Sequence, residues 1–552
     1  MHRRTLRTAL PLAALALALL TSACSSSGSP LAKSGSKSNF STAQATTAPG
    51  QGPLSALTWY GDYRAPYSED PLKTADYPEE TILGNVCPPL LTTNADYSLS
   101  PGIASSWNQP DAEHLVFDLN PKATFSDGHP VTPADVVYSL LRNQDPNEAS
   151  NYYDSYTDVT SVKATGAEQV TVTFSKPDYL FVRNMGILAG SIVEKAFAVK
   201  EGANFGNANV GVVCAGPYTV ASFDGTNTMV LKRNPDYWDP AHAAKAATVT
   251  FTFMSDPSAI ANALSSGSLD GAFDLPPSTI SQLNKATDGK LYVGAAGSTT
   301  QNIDLIVSQL TGTLGDVRVR QALSMAIDRT GIAQTLFNGA ADPLYAVAGP
   351  GFWQSSPAKS VYQAAYQKLE QSADIAGATK LVQQAGATGK SVSIGYAASS
   401  PTDAQLAEVL QQTGDAIGLK VKIIGLPDQQ YGDLFIDPKA RAAYDSFITI
   451  NYLEYPEAAD MYTSYATKAG AQNFNGWSDP AVEADLLKAQ GAADPVQRAE
   501  AVVAAQAVIA KALPWIPIVA PRALLFQNKA VTGAPLTFSY LDNAWAAAMG
   551  AP

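Results

Sequence analysis

At 552 residues the chain is too long for a single hydrophobic core, and length alone sets an expectation of roughly two to four domains. A formal charge of −13 argues against nucleic acid or an anionic membrane surface as partner, although a cleft can differ in sign from the whole. Three cysteines and four histidines are scattered without metal-ligand spacing, so neither a structural zinc nor a histidine-based active site is expected, and no cofactor is implied.

Residues 1–23 read as an export signal: Arg3, Arg4 and Arg7 precede an apolar run over 9–20 that is too short for a comfortable membrane span. Thr21-Ser22-Ala23-Cys24 looks like a bacterial lipobox, with threonine where leucine is commoner. Lipidation at Cys24 is the expectation, and two or more acyl chains would anchor the product stably. The alternative is a plain secretory signal with an incidental cysteine. Arg3-Arg4-Thr5-Leu6 partly resembles a twin-arginine signal, which leaves the export route open. Residues 24–53 are rich in Ser, Thr, Ala, Gly and Pro and read as a flexible tether with a reach on the order of 30 Å.

The folded part then opens with a strand over 54–60. A helix follows from Tyr77-Pro78-Glu79-Glu80, where proline in the first turn and two acids on the positive end of the dipole favour a start. Ile103-Ala104-Ser105-Ser106-Trp107 and a strand over 115–119 lead to TFSDGHPVTPADVVYSLLR over 124–142. Thr132, Pro133 and Asp135 there signal a capped helix whose apolar face is Val136, Val137, Leu140 and Leu141. Val170 to Phe174 alternates as a strand. Further on come Ala215-Gly216-Pro217-Tyr218, MVLKRNPDYW over 229–238, Gly267-Ser268-Leu269-Asp270 after a helix, and LGDVRVRQALSMAIDRTG over 314–331. Helix, strand, helix, strand follow over 376–424 as a second lobe of their own. Then come Phe474-Asn475-Gly476-Trp477, a long helix from Ala499, and Leu513-Pro514-Trp515-Ile516-Pro517.

These motifs, in this order, resemble family 5 of the extracellular solute-binding proteins of bacterial ABC importers, the peptide, nickel and oligosaccharide binders. The likeness covers nearly all of 54–552. It implies an α/β, two-lobed type II periplasmic-binding-protein-like fold (cluster C) with an extra subdomain inserted in lobe I. The implied division is 54–91 lobe I, 92–208 the inserted subdomain, 209–301 lobe I again, 302–515 lobe II, and 516–552 a return to lobe I. It also implies an extracytoplasmic binder that closes by a hinge and docks on a permease complex, with peptides as the first expectation. Carbohydrate or another small polar solute comes second, and a surface receptor without transport third. A monomer is expected.

No enzyme motif offers an anchor. Gly389-Lys390-Ser391 lacks the first glycine of a phosphate loop, position 384 being Gln, and a helix precedes it where a strand is needed. The site residues come instead from the resemblance. Asn451-Tyr452-Leu453-Glu454-Tyr455-Pro456-Glu457-Ala458 is similar to the family's Asp-Tyr-Pro-Asp-Ala segment, whose first acid grips a peptide's α-amino group; Glu454 stands there, one methylene longer, with Tyr455 beside it. The alternative for Glu454 is an acid on a surface loop. Tyr60, at the end of the first strand, and Trp353, in a Gly-Pro-Gly-Phe-Trp loop, are candidate stacking surfaces. Asn302 lies near the crossing between lobes. Tyr63-Arg64-Ala65-Pro66-Tyr67 replaces the family's Leu-Asp-Pro. Arg318 and Arg320 offer an anion clamp, or first-turn charges with no ligand. Once Cys24 is lipidated, Cys87 and Cys214 remain, both in the first lobe of the family fold. A disulfide between them is expected, with two buried thiols as the alternative.

Overall fold

The strand Leu57–Tyr60 buries Leu57, Trp59 and Tyr60, and a strand with no polar face belongs inside a sheet. It pairs in parallel with Thr248–Thr252, Leu57 facing Val249 and Trp59 facing Phe251, and on its other edge with Gly271. The computed structural model describes residues 45–74 and 76–552; the export signal, Cys24 and the tether up to residue 44 lie outside the described residues.

Among the described residues, a seven-stranded sheet runs in the order Gly289–Val293, Leu524–Asn528, Gly271–Phe273, Leu57–Tyr60, Thr248–Thr252, Thr228–Arg233, Tyr218–Phe223. This sheet is the core of lobe I. A six-stranded sheet forms lobe II in the order Ala341–Pro343, Trp515–Pro521, Asn302–Val307, Ser446–Asn451, Ser391–Ala397, Lys420–Leu426. The fold is the two-lobed α/β architecture of type II periplasmic binding proteins. The chain crosses between the sheets after Val293 and again between Pro521 and Leu524.

A four-stranded antiparallel sheet, Ala104–Asp111, His114–Leu119, Gln169–Phe174 and Val159–Gly166, carries the segment between the early parts of lobe I. In His114–Leu119 and Gln169–Phe174 every second residue is buried, as a half-covered sheet requires. The helix Pro133–Arg142 covers it. Asp135 closes the capping box by accepting from the Thr132 backbone N–H at 3.0 Å. At its other end Arg142 reaches lobe I and grips Asp70 with both terminal nitrogens, at 2.7 and 3.2 Å, while also holding Glu148.

Cys87, which follows the helix Tyr77–Leu83, is bonded to Cys214, with their Cα atoms 4.9 Å apart. Two residues on, Gly216 lets the chain press against that helix's end: a Cβ there would sit 2.3 Å from the Val86 carbonyl oxygen. Arg320 donates to the carbonyls of Ala512 and Leu314, and Arg318 holds Asp316 and the Gln384 carbonyl, so neither forms an anion clamp.

Two expected boundaries move. The tether was expected to run to residue 53, but Thr46 pairs with Pro535, Gly52 with Ala551, and Thr47 is buried; backbone partners supplied by the C-terminal segment order these residues. The return to lobe I was expected at 516, but Trp515–Pro521 is a strand of the lobe II sheet, with Ile516 facing Leu305, and the crossing follows it.

Candidate functional site

The two lobes meet where the segment after Ser446–Asn451 lies against the helix Tyr77–Leu83. Tyr452 stacks on Tyr77, ring centroids 4.6 Å apart, and meets Phe538 edge-on at 5.9 Å. Its hydroxyl donates to Glu80 Oε2 at 3.0 Å. From the crossing segment, Gln301 Nε2 donates to the Tyr77 hydroxyl at 2.8 Å and to Asp274 Oδ1 at 3.3 Å. A second junction joins lobe II to the inserted subdomain through Gln490, whose Nε2 donates to Asp158 and Asp178.

Acids crowd the first junction. The strand Leu57–Tyr60 delivers Asp62 just past its end, Gly271–Phe273 delivers Asp274, the helix Tyr77–Leu83 delivers Glu80, lobe II delivers Glu454, and the C-terminal segment delivers Asp542. Asp62 and Asp274 adopt left-handed backbone, φ 101° and 44°, which turns each chain sharply away at the sheet's edge. Glu80 and Asp542 are buried. Asp62, Asp274 and Glu454 keep some accessible surface while lying deep among protein atoms, so that surface faces an internal cleft and not open solvent.

Residues 98–473 match the profile described as bacterial extracellular solute-binding proteins, family 5 middle. The chain belongs to that family. It is 26% identical over 521 residues to the periplasmic oligopeptide-binding protein OppA of Haemophilus influenzae, covering 87% of this chain and 91% of that one. Among solved structures it superposes on AgaA of A. tumefaciens R10 in complex with agropinic acid, TM-score 0.76, 23% identity, 90% of this chain and 99% of that one. It also superposes on DppA of Helicobacter pylori in complex with the peptide STSA, TM-score 0.74, 20% identity, 89% and 98%. As a family 5 protein it binds solutes for ABC importers and is not an enzyme. No helix among the described residues is long and apolar enough to cross a membrane.

The expected site residues of this family 5 chain divide. Glu454 lies at the junction, and its side chain makes no ion pair and no hydrogen bond to another residue among the described residues; burial raises its carboxyl above the usual range, against a smaller lowering by its own backbone N–H. Tyr60 is 4% exposed and packs into the lobe I core, but its hydroxyl lies within reach of the charges of Asp62 and Asp274. Three residues are corrected. Asn302 is wholly buried: it donates to the Val347 carbonyl at 3.2 Å and accepts from Asn451 at 3.1 Å, so it ties strands of lobe II together. Trp353 is 3% exposed and lies parallel to Tyr362 at 6.1 Å, its indole N–H spent on the Ala348 carbonyl; it is core and offers no stacking face. The Tyr455 ring packs with the core of the inserted subdomain, its hydroxyl donating to Asp460 at 2.8 Å. Sequence reasoning missed Asp62, Asp274, Gln301 and Asp542, which come from four distant segments with no shared motif; left-handed φ at two of them is visible only in the fold.

The electrostatics of the cleft follow from burial without counter-charge. Burial raises Glu80, and the charges of Glu454 and Asp542 raise it further. Asp62 is raised by burial and then by Asp274, and Asp274 itself is pushed to about 6. Arg64 stands nearby, but its guanidinium is held by Glu79 at 2.7 Å and Asp76 at 3.2 Å. No ion pair among the described residues involves Asp62, Glu80, Asp274, Glu454 or Asp542.

Proposed function

We propose that this chain is a lipoprotein, anchored through Cys24, that captures peptides between its lobes as a monomer. It closes on them about the crossings near 294–302 and 521–524 and delivers them to an ABC importer permease. One observation carries the peptide reading: a deep, partly accessible carboxylate, Glu454, stands at the lobe junction with no counter-charge and no hydrogen-bond partner from another described residue. A peptide's α-ammonium supplies the missing charge and three donors. A charge-assisted hydrogen bond of this kind contributes about 1.5–3 kcal/mol. The names of OppA and the peptide complex of DppA point the same way.

The test is calorimetry with trialanine and its N-acetylated form. Acetylation removes the positive charge and is expected to weaken binding by about tenfold or more. Glu454→Gln is expected to weaken trialanine by a similar factor and to leave the acetylated form unaffected. Equal affinity for the free and acetylated peptides would remove the amino terminus from the recognition and overturn the reading.

A further inference from the structure

The cleft has far more acceptors than donors. Asp62 Oδ1 accepts only from the backbone N–H of Tyr63, and Glu80 only from Tyr452. Asp542 Oδ1 accepts from the Leu188 N–H, while its Oδ2 is buried with no partner. Two uncharged groups beside the acids are also left with unused hydrogen-bonding capacity. Gln301, 3% exposed, spends its amide nitrogen on Tyr77 and Asp274 and leaves Oε1 buried and idle. Tyr540, 2% exposed, stacks flat on Phe273 at 4.0 Å, and its hydroxyl ends among Asp274, Asp62 and Glu80 with no partner.

A buried carboxylate is acceptor-only and costly unless a cation or several N–H groups meet it. The protein supplies neither here. The acids also fall into two groups by their place in the fold: Asp62 and Asp274 follow the neighbouring strands Leu57–Tyr60 and Gly271–Phe273, whereas Glu80 is tied to the Glu454 segment through the Tyr452 hydroxyl and Asp542 lies against Gly84 at the end of the same helix; Gln301 joins the two by donating to both Asp274 and the Tyr77 hydroxyl. One ligand ammonium at Glu454 satisfies only the first group.

We propose that the solute carries two separated cationic groups, the first held by Glu80, Glu454 and Asp542 and the second by Asp62 and Asp274, with Gln301 Oε1 and the Tyr540 hydroxyl receiving N–H groups between them. This rests on the peptide reading for the first cation only. The shared chemistry is a pair of ammonium or guanidinium groups, carried by a peptide with a basic side chain near its amino terminus or by a free diamine.

Calorimetry on the full chain freed of carried solute decides it, with three probes: trialanine, the tripeptide with lysine in its second position, and cadaverine. The lysine peptide is expected to bind about tenfold or more tightly than trialanine, as a second charge-assisted contact implies. Asp62→Asn with Asp274→Asn is expected to erase that difference while trialanine affinity persists, which also shows that the variant is folded. Equal affinity for the two peptides would overturn the second cationic site and leave the peptide reading standing. Cadaverine binding without either peptide would support the dication and overturn the peptide reading. Failure of all three to bind would overturn both.

Discussion

A single carboxylate shows what burying an acid without a counter-charge costs the protein. Asp274 is ringed by Asp62, Asp76, Gln301 and Tyr540, and burial is the main reason that it titrates at about 6 instead of in the ordinary carboxylate range. A raised acid binds more protons in the native state than in the unfolded one. Ligand-free stability therefore falls as pH rises from about 4, where the unfolded carboxylate titrates, through 6. Asp62 and Glu80 are shifted the same way and extend the window upward. Thermal melts of the ligand-free protein should show a falling Tm between these pH values, and Asp274→Asn should flatten the fall and raise Tm at neutral pH. A Tm that climbs with pH, or a variant less stable than the parent, would show that this acid is satisfied by the fold. A cationic solute reverses the balance: it draws the acids into their charged forms and expels protons as it binds.

At the scale of elements, the helix Pro133–Arg142 shows how a recognisable motif does structural work. Its cap and apolar face were readable from the residues, because Thr-Pro-Ala-Asp and the helical spacing are local. The pairing of its last residue with Asp70, 72 positions away, was not. Removing Arg142 strands a buried carboxylate, so Arg142→Met should cost about 3–5 kcal/mol in urea unfolding. Adding Asp70→Asn should return most of it; a loss below about 1 kcal/mol would show that the Leu72 N–H satisfies Asp70 without Arg142. The same contrast explains what was legible of the site. Glu454 stood in a segment with a recognisable neighbourhood, Tyr-Pro-Glu-Ala. Trp353 in a glycine-rich loop looked like a free surface, yet the helix Lys359–Tyr366 folds back to stack on it. The acids of the other lobe converge only through sheet order, which brings Gly271–Phe273 beside Leu57–Tyr60 although more than 200 residues separate them.

For the whole molecule, the contacts across the junction are few and specific. The Tyr77–Tyr452 stack, the Tyr452–Glu80 hydrogen bond and the Gln490 contacts to the inserted subdomain hold the lobes together in the arrangement described. An aromatic pair of this kind contributes about 0.5–1.5 kcal/mol beyond its buried area. That suits an equilibrium a ligand can tip. X-ray scattering should show a smaller radius of gyration with bound peptide than without. Tyr452→Ala should expand the ligand-free form and require more peptide to close it. Superimposable curves with and without peptide would mean that the lobes do not swing.

The clasp formed by Thr46, Thr47 and Gly52 with the C-terminal segment has a mechanical meaning. Thr46 pairs with Pro535, Gly52 with Ala551, and the Thr47 hydroxyl donates to the Ala534 carbonyl at 3.1 Å. The C-terminal segment is itself built into the lobe I core through Phe538, Tyr540 and Trp545. Tension on the amino-terminal side is therefore delivered to lobe I, and the only covalent connections from it to lobe II are the two crossings. If Cys24 carries the anchor and the lobes close as proposed, lobe I is the fixed frame and lobe II the leaf that would swing, and a tag added after Pro552 would ride on the frame, beside Gly52.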